Sequence, residues 1–240
     1  MILITGGEGY IGSNFIELND DAKSYDIKSG FDVRDRNQLL EAVEGCSGIV
    51  HFAAESQIGF CEANPETAYS TNVYGTGLVS EVANSLGLGL VYASSFACVE
   101  RSNVYGKTKW LGEQLVLGSG GVVIRLANVY GGLNPRADSV LEKFRDAKRR
   151  GARAEVYGDG MQTRDFIHVG DVCSAFQVGL NANPGTYEAS TGIQTRIIDI
   201  VDMLEVDYMF KPKPIWDVDF IPSHPSRWLP GWKPRIKFTP

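Results

Sequence analysis

Short runs rich in apolar and β-branched residues punctuate the first half of the chain, at 2–5, 24–27, 48–52, 90–94 and 122–126. They are nearly continuous in apolar residues rather than alternating, which is the pattern of strands covered on both faces. Between them, segments 9–18, 36–43, 67–86 and 105–117 predict helices. Val79, Val82, Ala83 and Leu86 show the helical spacing in the third of these. Strand and helix alternating at this rhythm predict an α/β fold, a Rossmann-type doubly wound parallel sheet with right-handed crossovers. After Gly131 the rhythm loosens. A helix at 139–150, strands at 155–157 and 186–189 and a helix at 197–205 precede an irregular tail that holds seven of the ten prolines. The expected organisation is a dinucleotide-binding domain over 1–131, with a returning segment near 158–178, interleaved with a smaller α/β substrate domain over 132–240.

Composition narrows the class. The 240 residues are 43% hydrophobic and 22% charged, as in ordinary globular proteins. A net charge of −6 argues against a nucleic-acid partner. The densest basic stretch, 143–153, has acidic residues within it and reads as a solvated helix face. No apolar run approaches the ~18 residues that a membrane span needs. Met1 leads straight into Ile2-Leu3-Ile4, without the basic region of a signal peptide. Cys46, Cys61, Cys98 and Cys173 have neither metal-type pairing nor the density of a disulfide scaffold. The expectation is a cytoplasmic protein with no metal and no membrane partner.

The excess is glycine, 27 residues. Gly6, Gly9 and Gly12 stand at G-x-x-G-x-x-G spacing between the first strand and the first helix, with Tyr10 and Ile11 opening that helix. Such a turn lets backbone approach a pyrophosphate, which the helix N-terminus attracts. Asp26 follows Gly6 by twenty residues, at the end of the second expected strand, where a carboxylate accepts hydrogen bonds from an adenosine ribose. It repels a 2′-phosphate, which favours NAD over NADP, although Lys28 nearby weakens that preference.

Tyr105 and Lys109 lie one helical turn apart on one face. A phenol of pKa about 10 is a poor base at neutral pH, and a nearby ammonium stabilises its phenolate. Ser94 and Ser95 end the fourth expected strand, at the carboxyl edge where open α/β sheets hold ligands. A hydroxyl there can share the substrate oxygen that the tyrosine deprotonates.

These motifs fall in a specific order: TGGEGYIG at 5–12, DVRD at 32–35, HFAAES at 51–56, NP at 64–65, NVYGT at 72–76 and YASS at 92–95. YGKTK at 105–109, RLANVYG at 125–131 and YGDGMQTRDFIHVGDV at 157–172 follow. In that series the chain resembles the extended short-chain dehydrogenase/reductases of the NAD-dependent sugar-nucleotide epimerase/dehydratase family. The resemblance implies NAD as cofactor, with Asp32 and Val33 beside the adenine, Phe52, Ala53 and Ala54 along the dinucleotide cleft, and Asn72 close to them. It implies Tyr105 as base, Lys109 as the ribose-binding and pKa-tuning lysine, and Ser95 as the catalytic Ser/Thr. Asn128, Tyr157 and Arg164 match positions that hold the nucleotide diphosphate, and a guanidinium fork suits a diphosphate. His168 is expected to pack inside the domain. Relatives form homodimers through the helices matching 67–86 and 105–117.

The chain also departs from that pattern. Only nine residues separate Ser95 from Tyr105, and Cys98-Val99-Glu100 replaces the usual Val-Tyr-Gly. Near the C-terminus Lys213-Pro214-Ile215-Trp216-Asp217 stands where relatives carry an R-P-G-D-like turn, whereas Gly231-Trp232-Lys233-Pro234 resembles the family's late G-W-x-P. Dehydratases place Asp and Glu directly after the catalytic Thr. Here Phe96 and Ala97 follow Ser95, and neither transfers a proton. The leading expectation is 4-epimerisation of a UDP-hexose through a transient 4-keto sugar. The alternatives are a keto-sugar-nucleotide reductase or dehydratase and, from another class, a non-catalytic dinucleotide-binding protein.

Overall fold

The computed structural model describes residues 1–215 and 217–240, so Trp216 lies outside the described residues. Its strands are β1 (Ile2–Thr5), β2 (Ala22–Tyr25), β3 (Gly48–His51), β4 (Gly89–Ser95), β5 (Val122–Leu126), β6 (Asn128–Tyr130), β7 (Ala154–Tyr157), β8 (Thr163–His168), β9 (Gly185–Ala189), β10 (Gln194–Arg196) and β11 (Tyr208–Lys211). Its helices are α1 (Tyr10–Glu17), α2 (Arg36–Ala42), α3 (Ile58–Ala63), α4 (Pro65–Tyr69), α5 (Thr76–Ser85), α6 (Ala97–Glu100), α7 (Val104–Gly118), α8 (Val140–Arg150), α9 (Val169–Gly179) and α10 (Ile197–Met203).

Six strands make one parallel sheet in the order β2-β1-β3-β4-β5-β9. Side chains alternate across it with period two. Leu3, Ile49, Leu90, Tyr92 and Val123 join the core under α2, α5 and α7. Ile4, Val50, Val91, Ala93, Val122 and Ile124 join the opposite core, which α1 and α9 cover through Phe15, Val169, Val172, Cys173 and Phe176. Covering on both faces is why the strands read as unbroken apolar runs. This is the expected doubly wound α/β fold, and the chain returns to its large sheet after leaving it.

A smaller layer holds two short sheets, β10-β8-β6 and β11-β7. Its own core gathers Leu141, Phe144 and Ala147 of α8 with Val156, Phe166 and Ile200. Ser139 caps α8 by accepting from Glu142 N at 3.3 Å. Arg145 pairs with Glu142, and Arg149 and Arg150 pair with Asp146 along α8. The irregular tail ties back to α9. Trp232 Nε1 donates to Ser174 at 2.9 Å, and Asp171 accepts from the backbone of Arg235 and Ile236.

Three expectations need correction. The second strand is Ala22–Tyr25 rather than 24–27, because Asp26 accepts from Lys28 N and caps a 3-10 turn at Ile27–Ser29. The strand expected at 186–189 in the smaller layer is β9, at the edge of the large sheet beside β5, with Ala189 in the large core. The helix expected over 67–86 is broken into α4, one stretch of π-helix (Ser70–Gly75) and α5. That wider turn aims Asn72 inward, where it holds the chain leaving β3.

Candidate active site

In the large sheet the connections from β1 and β3 leave toward opposite faces, which opens a crevice at their carboxyl ends. One cleft of about 900 Å³ begins there and continues to the smaller layer.

The glycine turn forms its floor. Gly6 has φ +69°, and a Cβ there would stand 2.7 Å from Ala53 N. A Cβ at Gly12 would stand 2.2 Å from Gly6 O, so α1 meets the turn only through glycine. Gly9, Tyr10 and Ile11 complete the lining, and Tyr10 Oη donates to Gly131 O at 2.7 Å, tying the turn to the start of the smaller layer. Phe52, Ala53 and Ala54 form the facing wall.

At one end lie Asp26, Asp32 and Val33. The buried Asp26 carboxylate accepts from Glu8 N at 2.9 Å and Lys28 N at 3.0 Å. Lys28 Nζ donates to Glu8 O at 2.8 Å and so is held on the glycine turn. Arg34 grips Asp32 with two nitrogens and keeps that carboxyl below its usual range.

Asn72 lies close to the facing wall without itself lining the cleft. It is fully buried, accepts from Glu55 N at 2.7 Å, and donates to Glu55 O at 2.9 Å and to Thr108 Oγ1 at 3.0 Å. Its amide is consumed in fixing the wall that follows β3.

The helix α7 brings Tyr105, Lys109 and Glu113 onto one face at four-residue intervals. Asn103 caps it by accepting from Gly106 N at 2.8 Å. Tyr105 is half-buried in the cleft. Burial raises its phenol's pKa, and the hydrogen bond with Ser95 and the charge of Arg136 work the other way. Lys109 is buried, and burial pushes its ammonium down to about 7 against the pull of Glu113. Among the described residues Lys109 Nζ has no hydrogen-bond acceptor.

Glu113 is saturated. It accepts from Ser94 Oγ at 2.6 Å, Cys98 Sγ at 3.0 Å and Arg125 Nε and Nη2 at 2.8 and 2.7 Å. Burial opposes its charge, yet these donors hold its carboxyl below the usual range. Ser94 is therefore spent on structure, and burial next to Glu113 pushes the Cys98 thiol up to about 12. Both serines border the cleft, and Ser95 is the more exposed of the two, its Oγ accepting from Ala97 N at 3.2 Å.

The far end of the cleft is lined by Asn128, Tyr157 and Arg164. Asn128 Nδ2 donates to Asp165 O at 3.3 Å, and Arg164 is ion-paired with Asp217, which ties that late aspartate to β8. His168 caps α9 by accepting from Gly170 N and packs edge-on against Tyr130, outside the cleft.

Arg136 escaped the sequence reading. It sits in the cleft wall, donating to Ser56 Oγ at 3.2 Å and forking onto Asp138. The Arg-x-Asp spacing at 136–138, in the loop that follows RLANVYG, is the only local trace of it. Among the described residues no group of His, Cys, Asp and Glu is placed to hold a metal ion, and no helix is long and apolar enough to cross a membrane.

Residues 2–189 match the NAD dependent epimerase/dehydratase family. The chain is 27% identical to the UDP-glucose 4-epimerase of Streptomyces lividans over 76% of its length and 72% of that protein's. It is 29% identical to the dTDP-glucose 4,6-dehydratase of Mycobacterium tuberculosis H37Rv, over 72% of this chain and 66% of that one. The fold is that of the Thermotoga maritima UDP-glucose 4-epimerase, with a TM-score of 0.87 at 20% identity, covering 98% of this chain and 94% of that one.

Proposed function

Because the chain belongs to the NAD dependent epimerase/dehydratase family, we propose that it catalyses the NAD-dependent 4-epimerisation of a nucleotide-diphosphate hexose, with UDP-hexoses as the first choice. The observation that carries this reading is the pair that follows Ser95. Phe96 and Ala97 offer no proton donor or acceptor, whereas elimination of water needs an acid and a base beside the serine. An epimerase needs one reversible base, and Tyr105 is that group.

The residues fit the dinucleotide. The glycine turn leaves bare backbone where side chains would collide, and Lys109 brings to the cleft a buried ammonium in want of acceptors, which ribose hydroxyls supply. When bound, NAD supplies a reversible hydride acceptor for the carbon that changes configuration. Asp26 accepts from the adenosine ribose and excludes a 2′-phosphate. With Lys28 held on Glu8 O, NAD is expected to bind at least about tenfold tighter than NADP, roughly 1.4 kcal/mol. Calorimetry with both dinucleotides checks this, and equal affinities overturn it. Tyr105 Oη takes the proton of the C4 hydroxyl and later returns it, while Ser95 Oγ hydrogen-bonds the same oxygen. Asn128, Tyr157 and Arg164 hold the nucleotide diphosphate. A second copy of this chain is the expected partner, through the outer faces of α5 and α7.

The test is incubation with UDP-, dTDP-, GDP- and CDP-hexoses, with products read by NMR. The reading expects the 4-epimer of a UDP-sugar. A 4-keto-6-deoxy product would instead assign the chain to dehydration, and no turnover of any sugar would favour a binding protein.

A further inference from the structure

Lys109 poses a physical problem that its own helix does not solve. Lys109 is 2% exposed and lines the cleft, and its ammonium has no hydrogen-bond acceptor among the described residues. A buried cation must be compensated or it gives up its proton. What lies against it is an aromatic face, with Nζ 4.1 Å from the centroid of the Tyr92 ring. We propose that Tyr92 is a positioning residue for Lys109, holding the ammonium by its ring face and keeping it protonated in the wall of the cleft.

The surroundings of Tyr92 are built for that orientation. A Cβ at Gly112 would come 2.4 Å from Tyr92 Oη, so only glycine on α7 admits the phenol beneath the helix. On β3 the ring of His51 stacks on Tyr92 at 5.4 Å between centroids and 27° between planes. His51 is itself locked. Thr76 Oγ1 donates to Asn72 O at 2.7 Å and so accepts from His51 Nε2 at 2.9 Å, which leaves Nδ1 to accept from Thr5 Oγ1 at 2.6 Å. Burial and the nearby Lys109 charge lower His51 to about 3, so its ring stays neutral and adds no second cation. The charged and titratable groups around Lys109 are Glu113 and Tyr105 on its own helix, Cys98 on α6, Cys61 on α3, His51 on β3 and Tyr92 on β4. Of these Glu113 is the fixed anion, and it is already saturated by Arg125, Ser94 and Cys98. The ring quadrupole adds a contact attraction to the longer-range pull of Glu113.

Electron withdrawal tests this without changing shape. Phenylalanine and its mono-, di- and trifluorinated analogues are incorporated at position 92, and the ammonium is followed by NMR of 13Cε-labelled lysine, with Lys109→Met assigning the signal. The midpoint of Lys109 is expected to fall with each fluorine, by about one pH unit across the series, while Tyr92→Phe stays near the wild type. A midpoint independent of fluorination overturns the proposal, as does a Tyr92→Phe variant that falls as far as the trifluoro form. NAD affinity at pH 8 should weaken in the same order, an arm that rests on the cofactor assignment above. Were the midpoint to move while NAD failed to bind even the wild type, the cofactor assignment would fall and the hold of Tyr92 on Lys109 would stand.

Discussion

The proposed reaction places its proton transfer on Tyr105, which lines the cleft, so the residue scale is where the chemistry is most exposed to test. Tyr105→Phe keeps the ring packing and removes the hydroxyl alone. Turnover is expected to fall by about 10²–10⁴, the usual contribution of a positioned base. NAD affinity, measured by calorimetry, should survive because the glycine turn and Asp26 are untouched. Near-normal turnover would end the mechanism. Arg136 makes a second, sharper prediction. Burial raises the Tyr105 pKa, and the Arg136 guanidinium is a cation that lowers it. Removing that charge in Arg136→Met leaves the phenolate less stabilised, so the phenol titrates at higher pH. The reaction needs the phenolate, so the acidic limb of the rate profile is expected to move upward, with Arg136→Lys moving it less. An unmoved limb in Arg136→Met, measured on the substrate that the wild type accepts, would show that the guanidinium does not act on Tyr105.

At the scale of elements, the π-helical stretch Ser70–Gly75 ties three parts of the wall together through Asn72. Leucine has nearly the same volume but offers neither donor nor acceptor. Asn72→Leu therefore strands the part-buried N–H of Glu55 and leaves its C=O with Cys61 Sγ alone, at a cost of about 1–3 kcal/mol. Denaturant unfolding should show a lower midpoint at unchanged slope, and a loss under about 0.5 kcal/mol would contradict the role given to Asn72. This element also marks where the sequence stops being legible. The strands were readable because β1, β3, β4 and β5 are covered on both faces, and Tyr105 and Lys109 because one helical turn fixes their relation. Nothing local announces that Asn72 turns inward or that the helix widens around it, since its partners Glu55 and Thr108 lie 17 and 36 residues away. The same holds for β9, whose place beside β5 depends on a long return of the chain, and for Arg136, whose loop gains meaning only when folded against Tyr105 and Ser56.

For the whole molecule the open question is what covers the outer faces of α5 and α7. Gly77 of α5 lies against Leu115 of α7, with 3.7 Å between its Cβ position and Leu115 Cδ1, so the two helices pack closely. Around them Tyr69, Tyr74, Leu86 and Leu115 stand exposed, Tyr74 by 58%. Exposed apolar side chains on and beside two adjacent helices suit a twofold contact, in which each copy presents the same face to the other. We expect a homodimer of the 26.3 kDa chain, read by light scattering at micromolar concentration. Leu115→Arg places two like charges near the twofold axis, where neither finds a partner, and should yield the monomer. A monomeric wild type would refute the assembly. Every residue assigned to the cofactor and sugar except Asn72 lines a single cleft of one chain. The Leu115→Arg monomer should therefore bind NAD with an affinity within about twofold of the dimer's, less than 0.5 kcal/mol. A large loss of NAD binding on dissociation would mean that the second copy completes the site, which would place the catalytic unit in the pair.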